Sequence, residues 1–169
     1  MDRYCAGDAA AFEVIFKRYA ARLLRFTRPI VGVSQAQDIV QVTFLKLHES
    51  RHRYRTGARL SSWLFTIARN TALDHVRSAP ARREVHVEAD ATADDTVRDS
   101  LAVARIRKAV ADLPAEQRDV VLLHWFGDLG FDEVANVLHA SSVAVRARAH
   151  RAYEKLRKTL GDVVPEAAP

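Results

Sequence analysis

Apolar residues recur at steps of three and four along almost the whole chain, the period of an amphipathic helix. Phe12, Ile15, Phe16, Tyr19, Leu23 and Phe26 form one such stripe, with Arg18, Arg22 and Arg25 off it. Pro29 and Gly32 are expected to end that helix. A second helix is predicted from Gln35 through Leu47, with Val40, Phe44 and Leu47 inward and Gln37, Asp38, Gln41 and Lys46 on other faces. Residues 51–62 carry Gly57 and many charges and read as a loop. Leu60, Trp63, Leu64 and Ile67 open a third helix that continues to Val76 before Pro80 stops it.

The second half repeats the helical period in shorter pieces. Residues 101–112 read as a helix. Pro114 suits a first helical turn and leads into Ala115 to Trp125. A turn at 127–130 precedes a short helix, Phe131 to Leu138. His139 to Ser142 is another turn, and Ser141 or Ser142 is a plausible N-cap for a last helix, Val143 to Leu160, which Gly161 ends. Two helices joined by a short turn, the second one basic, make a helix-turn-helix pattern. No strand and no internal repeat stands out. The predicted fold class is all-α.

Composition divides this helical chain in two. The 169 residues hold 26 Lys+Arg and 21 Asp+Glu, a net charge of +5. Six of the acids (Glu84, Glu88, Asp90, Asp94, Asp95 and Asp99) fall between 84 and 99, beside a single arginine, Arg98. The window has small side chains and no apolar period. It reads as a flexible acidic linker between two basic helical domains. Twenty extended residues would reach at most about 70 Å, so the two domains could sit far apart on a partner. A basic balance points to a polyanion.

Several chemistries are excluded by what is missing. Cys5 is the only cysteine, which rules out an internal disulfide framework and a cysteine-rich zinc site. No stretch is apolar enough to span a bilayer, and Asp2, Asp8 and Glu13 argue against a signal peptide. The expected location is the cytoplasm. The six glycines make no dinucleotide fingerprint, phosphate loop or nucleophile elbow.

The sharpest functional signal is the last helix. Residues 142–158 carry Arg146, Arg148, Arg151, Lys155, Arg157 and Lys158 against one acid, Glu154. Arg146, His150 and Arg151 fall towards one side of its N-terminal half, the half that reads bases in a major groove. Arginine can bond guanine bidentately, and other cations can hold phosphate. The alternative is a solvated basic face, and the short helix and tight turn in front argue against it. A second signal is Trp63, Phe65, Arg69 and Asn70 on one helix, preceded by Arg51, Arg53, Arg55 and Arg59. Aromatic faces beside cations suit unpaired bases. Trp63 and Phe65 stand two residues apart, on different helix faces, so both cannot be central to one core. Asp38 and Gln41 share a face at a three-residue step and suit a polar or basic partner, though such residues are usually only solvated.

One enzymatic motif competes. His48-Glu49-Ser50-Arg51-His52 matches H-E-x-x-H, in which two histidines on one helix face bind zinc and the glutamate acts as general base. It falls at a predicted helix end, and Asp74 or His75 would be the only nearby third ligands. Two solvent-facing histidines are the expected reading.

These residues together resemble a known family. Ala6-Gly7-Asp8 with Phe12, then Asp38-Ile39-Val40-Gln41-x-Thr43-Phe44-Leu45, then Trp63-Leu64-Phe65-x-Ile67-Ala68-Arg69-Asn70-x-Ala72-Leu73-Asp74 are similar to the N-terminal half of an extracytoplasmic-function sigma factor of bacterial RNA polymerase. Leu113-Pro114-x-Glu116-Gln117-Arg118, Glu133-Val134-Ala135 and His150-Arg151-Ala152-x-Glu154-Lys155-Leu156-Arg157 resemble its C-terminal half. Each element alone is weak; their joint order and spacing are specific.

The resemblance implies a domain map and a set of roles. Residues 1–80 would be a region 2-like domain, 81–100 the linker, 101–162 a region 4-like helix-turn-helix domain and 163–169 a tail. Asp38, Gln41 and Phe44 would dock on core polymerase. Arg55, Arg59, Trp63, Arg69 and Asn70 would melt and read the −10 element as single strand. Arg146, Ala147, Arg148, His150 and Arg151 would read the −35 duplex. The partners implied are core RNA polymerase, promoter DNA and an anti-sigma protein, with no cofactor, no metal and no catalysis by the factor itself. Val42 stands where the family has an acid, His139 where it has a turn glycine, and Ala147 where it has a serine. The remaining alternatives are a stand-alone helix-turn-helix regulator, which leaves the N-terminal half unused, and, more remotely, the zinc hydrolase.

Overall fold

The computed structural model describes residues 1–78 and 97–161. They form eight α-helices: α1 (Asp2–Cys5), α2 (Ala9–Val31), α3 (Val33–Ser50), α4 (Leu60–Ser78), α5 (Val97–Ala111), α6 (Ala115–Gly127), α7 (Phe131–Leu138) and α8 (Ser142–Leu160). A single 3-10 turn, Arg51–Arg53, follows α3. No strand occurs among the described residues, so the all-α expectation holds. The predicted acidic linker and the tail lie largely outside the described residues, and α5 begins within the window read as linker.

Two of the long helices, α2 and α8, start where a side chain satisfies their free N–H groups. The Asp8 carboxylate accepts from Ala10 and Ala11 at the start of α2, at 3.0 and 3.3 Å. Ser141 does the same for α8, taking a hydrogen bond from Ala144 at 3.2 Å. Pro29 does not stop α2. It sits in the last turn, and the helix ends at Gly32, whose φ of 89° is open to glycine. α3 starts directly at Val33, two residues before the predicted start, and runs on to Ser50. The short α1 carries no long apolar period, yet it places a buried Tyr4 beside Phe12, ring centroids 5.3 Å apart.

α2, α3 and α4 pack on one another around Leu23, Phe26, Leu47, Leu64 and Phe65, all essentially inaccessible to solvent. Each such side chain contributes roughly 1.5–3 kcal/mol by leaving water. Phe26 and Phe65 meet edge to face at 5.3 Å. The buried hydroxyls of Thr27 and Thr43 donate to the carbonyls of Leu23 and Ile39 at 3.0 and 2.7 Å, so they carry no unpaired penalty. Phe16, on the predicted inward stripe, is 44% exposed and packs on Phe44 at the rim of the core.

The second module closes around Val120 to Leu123 of α6, Leu129, Val134 of α7, and Val145, Ala149, Ala152 and Leu156 of α8. The two modules are not separate bodies in this arrangement. α2 and α4 lie against α6 and α7, and one continuous buried cluster runs through both.

Candidate nucleic-acid interface

α8 is held by one face and open on the other. Val145, Ala149, Ala152 and Leu156 anchor it against α6 and α7 at helical spacing. Its outer face then presents Arg146, Ala147, His150 and Arg151, all exposed. Arg148 departs from this group. Its side chain is only 23% exposed, and its guanidinium reaches Glu116 of α6 at 2.9 Å. Arg146 lies 3.7 Å from Asp132 of α7, an exposed pair that contributes little to stability. Val143 is 77% exposed in the first turn of α8. Sequence reasoning did not single it out as a contact. It is an apolar residue two positions after the Ser141 cap, off the buried stripe.

The turn before α8 is built on an unusual residue. His139 ends α7 with φ 51° and ψ 45°, the left-handed conformation expected for a glycine position, and its N–H bonds back to Asn136. Asn, Asp and His tolerate this region better than other residues, still at a cost. Asp128 adopts the same conformation at the end of α6.

The aromatic and cationic residues around α4 divide into two groups. Trp63 is half-buried and leans on Tyr54, ring centroids 5.4 Å apart. Trp63 and Asn70, two helical turns apart, line a cavity of about 520 Å³ together with Lys46, Glu49, His52 and Arg53. That volume accommodates a nucleobase-sized group, with an aromatic wall, an amide and cations at the rim. Lys46, His52 and Arg53 reach it from the end of α3 and the turn after it, a juxtaposition that linear spacing does not show. Arg55 and Arg59 are exposed on the loop leading into α4. Arg69 turns away from the cavity, since one residue is 100° of helix, and faces α6. Its Nε and one terminal N–H donate to the Asp119 carboxylate at 2.9 and 2.7 Å. Arg59 pairs with Glu133 of α7. Phe65 is fully buried between Phe26 and Gly127, at the join between the modules.

On α3, Asp38, Gln41, Val42 and Leu45 are exposed at spacings that put them on one outward face. Phe44 is buried against Phe12 and Phe16, with ring centroids 5.9 and 4.8 Å away, and supports this face from beneath. The zinc reading gains nothing from the fold. α3 stops at Ser50, so His52 is not on the helix with His48, and His48 Nδ1 is hydrogen-bonded to the Tyr4 hydroxyl. Among the described residues no group of three or more His, Cys, Asp or Glu side chains is placed to hold a metal ion.

Residues 15–82 match the Sigma-70 region 2 family, and residues 104–156 match the Sigma-70, region 4 family. Over 175 aligned residues the chain is 36% identical to RNA polymerase sigma factor CarQ of Myxococcus xanthus, spanning 99% of both proteins. The chain belongs to the extracytoplasmic-function sigma factors of bacterial RNA polymerase. It is also 32% identical to the ECF RNA polymerase sigma factor SigM of Mycobacterium tuberculosis, over 94% of this chain and 81% of that one. Two solved structures share the fold. CnrH in complex with the cytosolic domain of CnrY aligns with a TM-score of 0.74 at 23% identity, over 96% of each chain. The sigma factor RpoE from Bartonella quintana, in complex with the anti-sigma factor NepR, aligns with a TM-score of 0.77 at 21% identity, over 91% of this chain and 99% of that one. As a sigma factor, the protein directs promoter-specific transcription by RNA polymerase. No helix among the described residues is long and apolar enough to cross a membrane.

Proposed function

We propose that this sigma factor divides promoter recognition between its two modules, residues 1–80 and 101–162, joined by the acidic segment 81–100. The observation that carries the reading is α8, anchored by its apolar face with Arg146, Ala147, His150 and Arg151 exposed on the other. Its N-terminal half enters the major groove of the −35 duplex. Arg146 and Arg151 supply base-edge or phosphate contacts, and Val143 meets a thymine methyl. Arg148, tied to Glu116, contributes chiefly by holding α8 on α6.

The −10 element is read as single strand by α4 and the loop before it. Trp63 and Asn70 receive an unstacked base in the cavity, with Lys46 and Arg53 beside the backbone; Arg55, Arg59 and Arg69 hold phosphates. Asp38, Gln41, Val42 and Leu45 of α3 dock on core polymerase, with Phe44 behind them. The factor itself performs no chemistry; nucleotide addition belongs to the polymerase. We place it in the cytoplasm and expect an anti-sigma protein as a further partner, in keeping with the complexes formed by proteins of the same fold. A stand-alone regulator would leave the α3 face and the α4 cavity without a task.

The test is co-elution of the purified protein with bacterial core RNA polymerase, followed by transcription from genomic fragments with 5′-end mapping. Tight binding and sequence-aligned new start sites are the expected result. A folded protein that binds duplex DNA but not polymerase would transfer the reading to a stand-alone regulator.

A further inference from the structure

The cavity between the end of α3 and α4 is lined by one acid, Glu49, among basic residues. Glu49 stands in the last turn of α3, three residues after Lys46, so the two side chains share a helix face. Its carboxylate makes no hydrogen bond or ion pair with another described residue, although Lys46, His52 and Arg53 line the same cavity. Lys46 is engaged elsewhere, its Nζ donating to the Thr71 hydroxyl of α4 at 3.0 Å. The hydroxyls of Ser50 and Thr66 give their protons to the helix carbonyls of Lys46 and Ser62, so each offers the cavity only lone pairs. Trp63 supplies the aromatic wall, with the Tyr54 ring 5.4 Å behind it.

An acid in a site for a polyanion works against affinity, because it repels every phosphate whatever the sequence. What it can add is a choice between bases. An ionised carboxylate only accepts hydrogen bonds. Adenine, cytosine and guanine each carry an exocyclic amino group, a pair of N–H donors on the base edge. Thymine carries none. Its pairing edge has a carbonyl oxygen on either side of a single N–H. A base unstacked on an aromatic ring has that edge open to side chains. An amino group satisfies Glu49. A thymine carbonyl in its place sets two acceptors against each other, and both lose the water they were bonded to. Asn70 does not discriminate in this way, because its amide both donates and accepts. Lys46 and Arg53 only donate, and every base has an acceptor for them.

We propose that Glu49 is a specificity-determining residue of the cavity: it accepts from the exocyclic amino group of the unstacked −10 base and rejects thymine at that position. The proposal rests on the assignment of the α4 cavity to an unstacked −10 base and names which bases it takes. Stacking on Trp63 and the surrounding cations supply affinity for any base. The carboxylate lowers that general attraction and sharpens the choice at one promoter position.

The test uses holoenzyme reconstituted with wild type, Glu49→Gln or Asn70→Ala, both substitutions falling at exposed helical positions. The probes are single-stranded oligonucleotides carrying a −10 sequence found by 5′-end mapping, with each position in turn occupied by each of the four bases. At one position wild type is expected to bind the thymine form about tenfold less tightly than an amino-bearing form, within the discrimination of a single base contact. Glu49→Gln keeps the shape of the side chain and presents an amide that suits thymine as well. The ratio at that position is therefore expected to fall to about one, with preferences at the other positions unchanged. Asn70→Ala is expected to weaken the same probes several-fold. If Glu49→Gln tightens every probe equally and the discrimination persists, Glu49 merely repels phosphate. That result, or a wild type that disfavours thymine at no position, overturns the specificity proposal and leaves the cavity assignment standing as long as Asn70→Ala weakens binding. Unchanged binding of every probe by Asn70→Ala overturns the cavity assignment, and the proposal with it.

Discussion

Arg148 of α8 reaches back to Glu116 in the first turn of α6, guanidinium to carboxylate at 2.9 Å, while Arg146 and Arg151 face outward. Three arginines within six residues are therefore expected to do two different jobs. Arg148→Ala is expected to lower the stability of the C-terminal module by about 0.5–1 kcal/mol, a modest value because Glu116 is largely exposed. Arg146→Ala and Arg151→Ala leave stability unchanged and weaken duplex binding, each reducing the salt-dependence slope by about one if the contact is to phosphate. Thermal melting together with salt titrations of duplex affinity separates the two behaviours.

His139 holds a left-handed backbone at the turn into α8, with φ 51°. A side chain in this region costs about 1 kcal/mol relative to glycine, partly offset by the extra freedom glycine has when unfolded. His139→Gly is expected to raise the melting temperature and leave the −35 sequence preference as it is. A shifted preference at unchanged stability would make the imidazole a DNA contact instead.

Gly127 is buried, and a Cβ added there would stand 3.1 Å from Leu129 Cγ and 3.6 Å from Phe65 Cδ1. The first distance is too short for relaxed packing. Gly127→Ala is expected to destabilise the chain by about 1–3 kcal/mol through overpacking. Denaturant unfolding measures this directly, and a neutral result would mean that the Leu129 side chain shifts by a few tenths of an ångström to make room.

Asp8 caps α2, and its hydrogen bond from Arg3 holds its carboxyl below the usual aspartate value, with the Ala11 N–H adding to the effect. A group whose pKa is lower folded than unfolded stabilises the fold above the unfolded value of about 3.9 and loses that contribution as pH falls through the folded value. The stability difference between wild type and Asp8→Asn is therefore expected to be constant near neutrality and to shrink below about pH 4. Melting curves across that range check it.

The helices around the core are legible because the chain repeats a 3.6-residue period and marks its ends with Gly32, Pro114, Ser141 and Gly161, whereas the Asp8 cap of α2 emerges only from the structure. Pro29 and Gly32 together predict the end of α2, and the helix runs two residues past Pro29 to Val31 because a proline near a helix end costs only one backbone bond. Phe16 lies on the inward stripe, yet its ring is 44% exposed and packs on Phe44 at the rim of the core. Trp63 and Phe65 take different sides of α4, Phe65 buried against Phe26 and Trp63 half-buried against Tyr54.

The sequence by itself determined that this is a helical, two-part, basic chain and which family it belongs to, because periodicity, caps and charge are properties of residues close together in the chain. Only the tertiary structure decided what each charged side chain faces. Arg69 and Asp119 are fifty residues apart in sequence, as are their surroundings, and no local rule brings them together. Burial of apolar faces fixes how α4 and α6 approach. The ion pair then forms because two charges removed from water must satisfy each other.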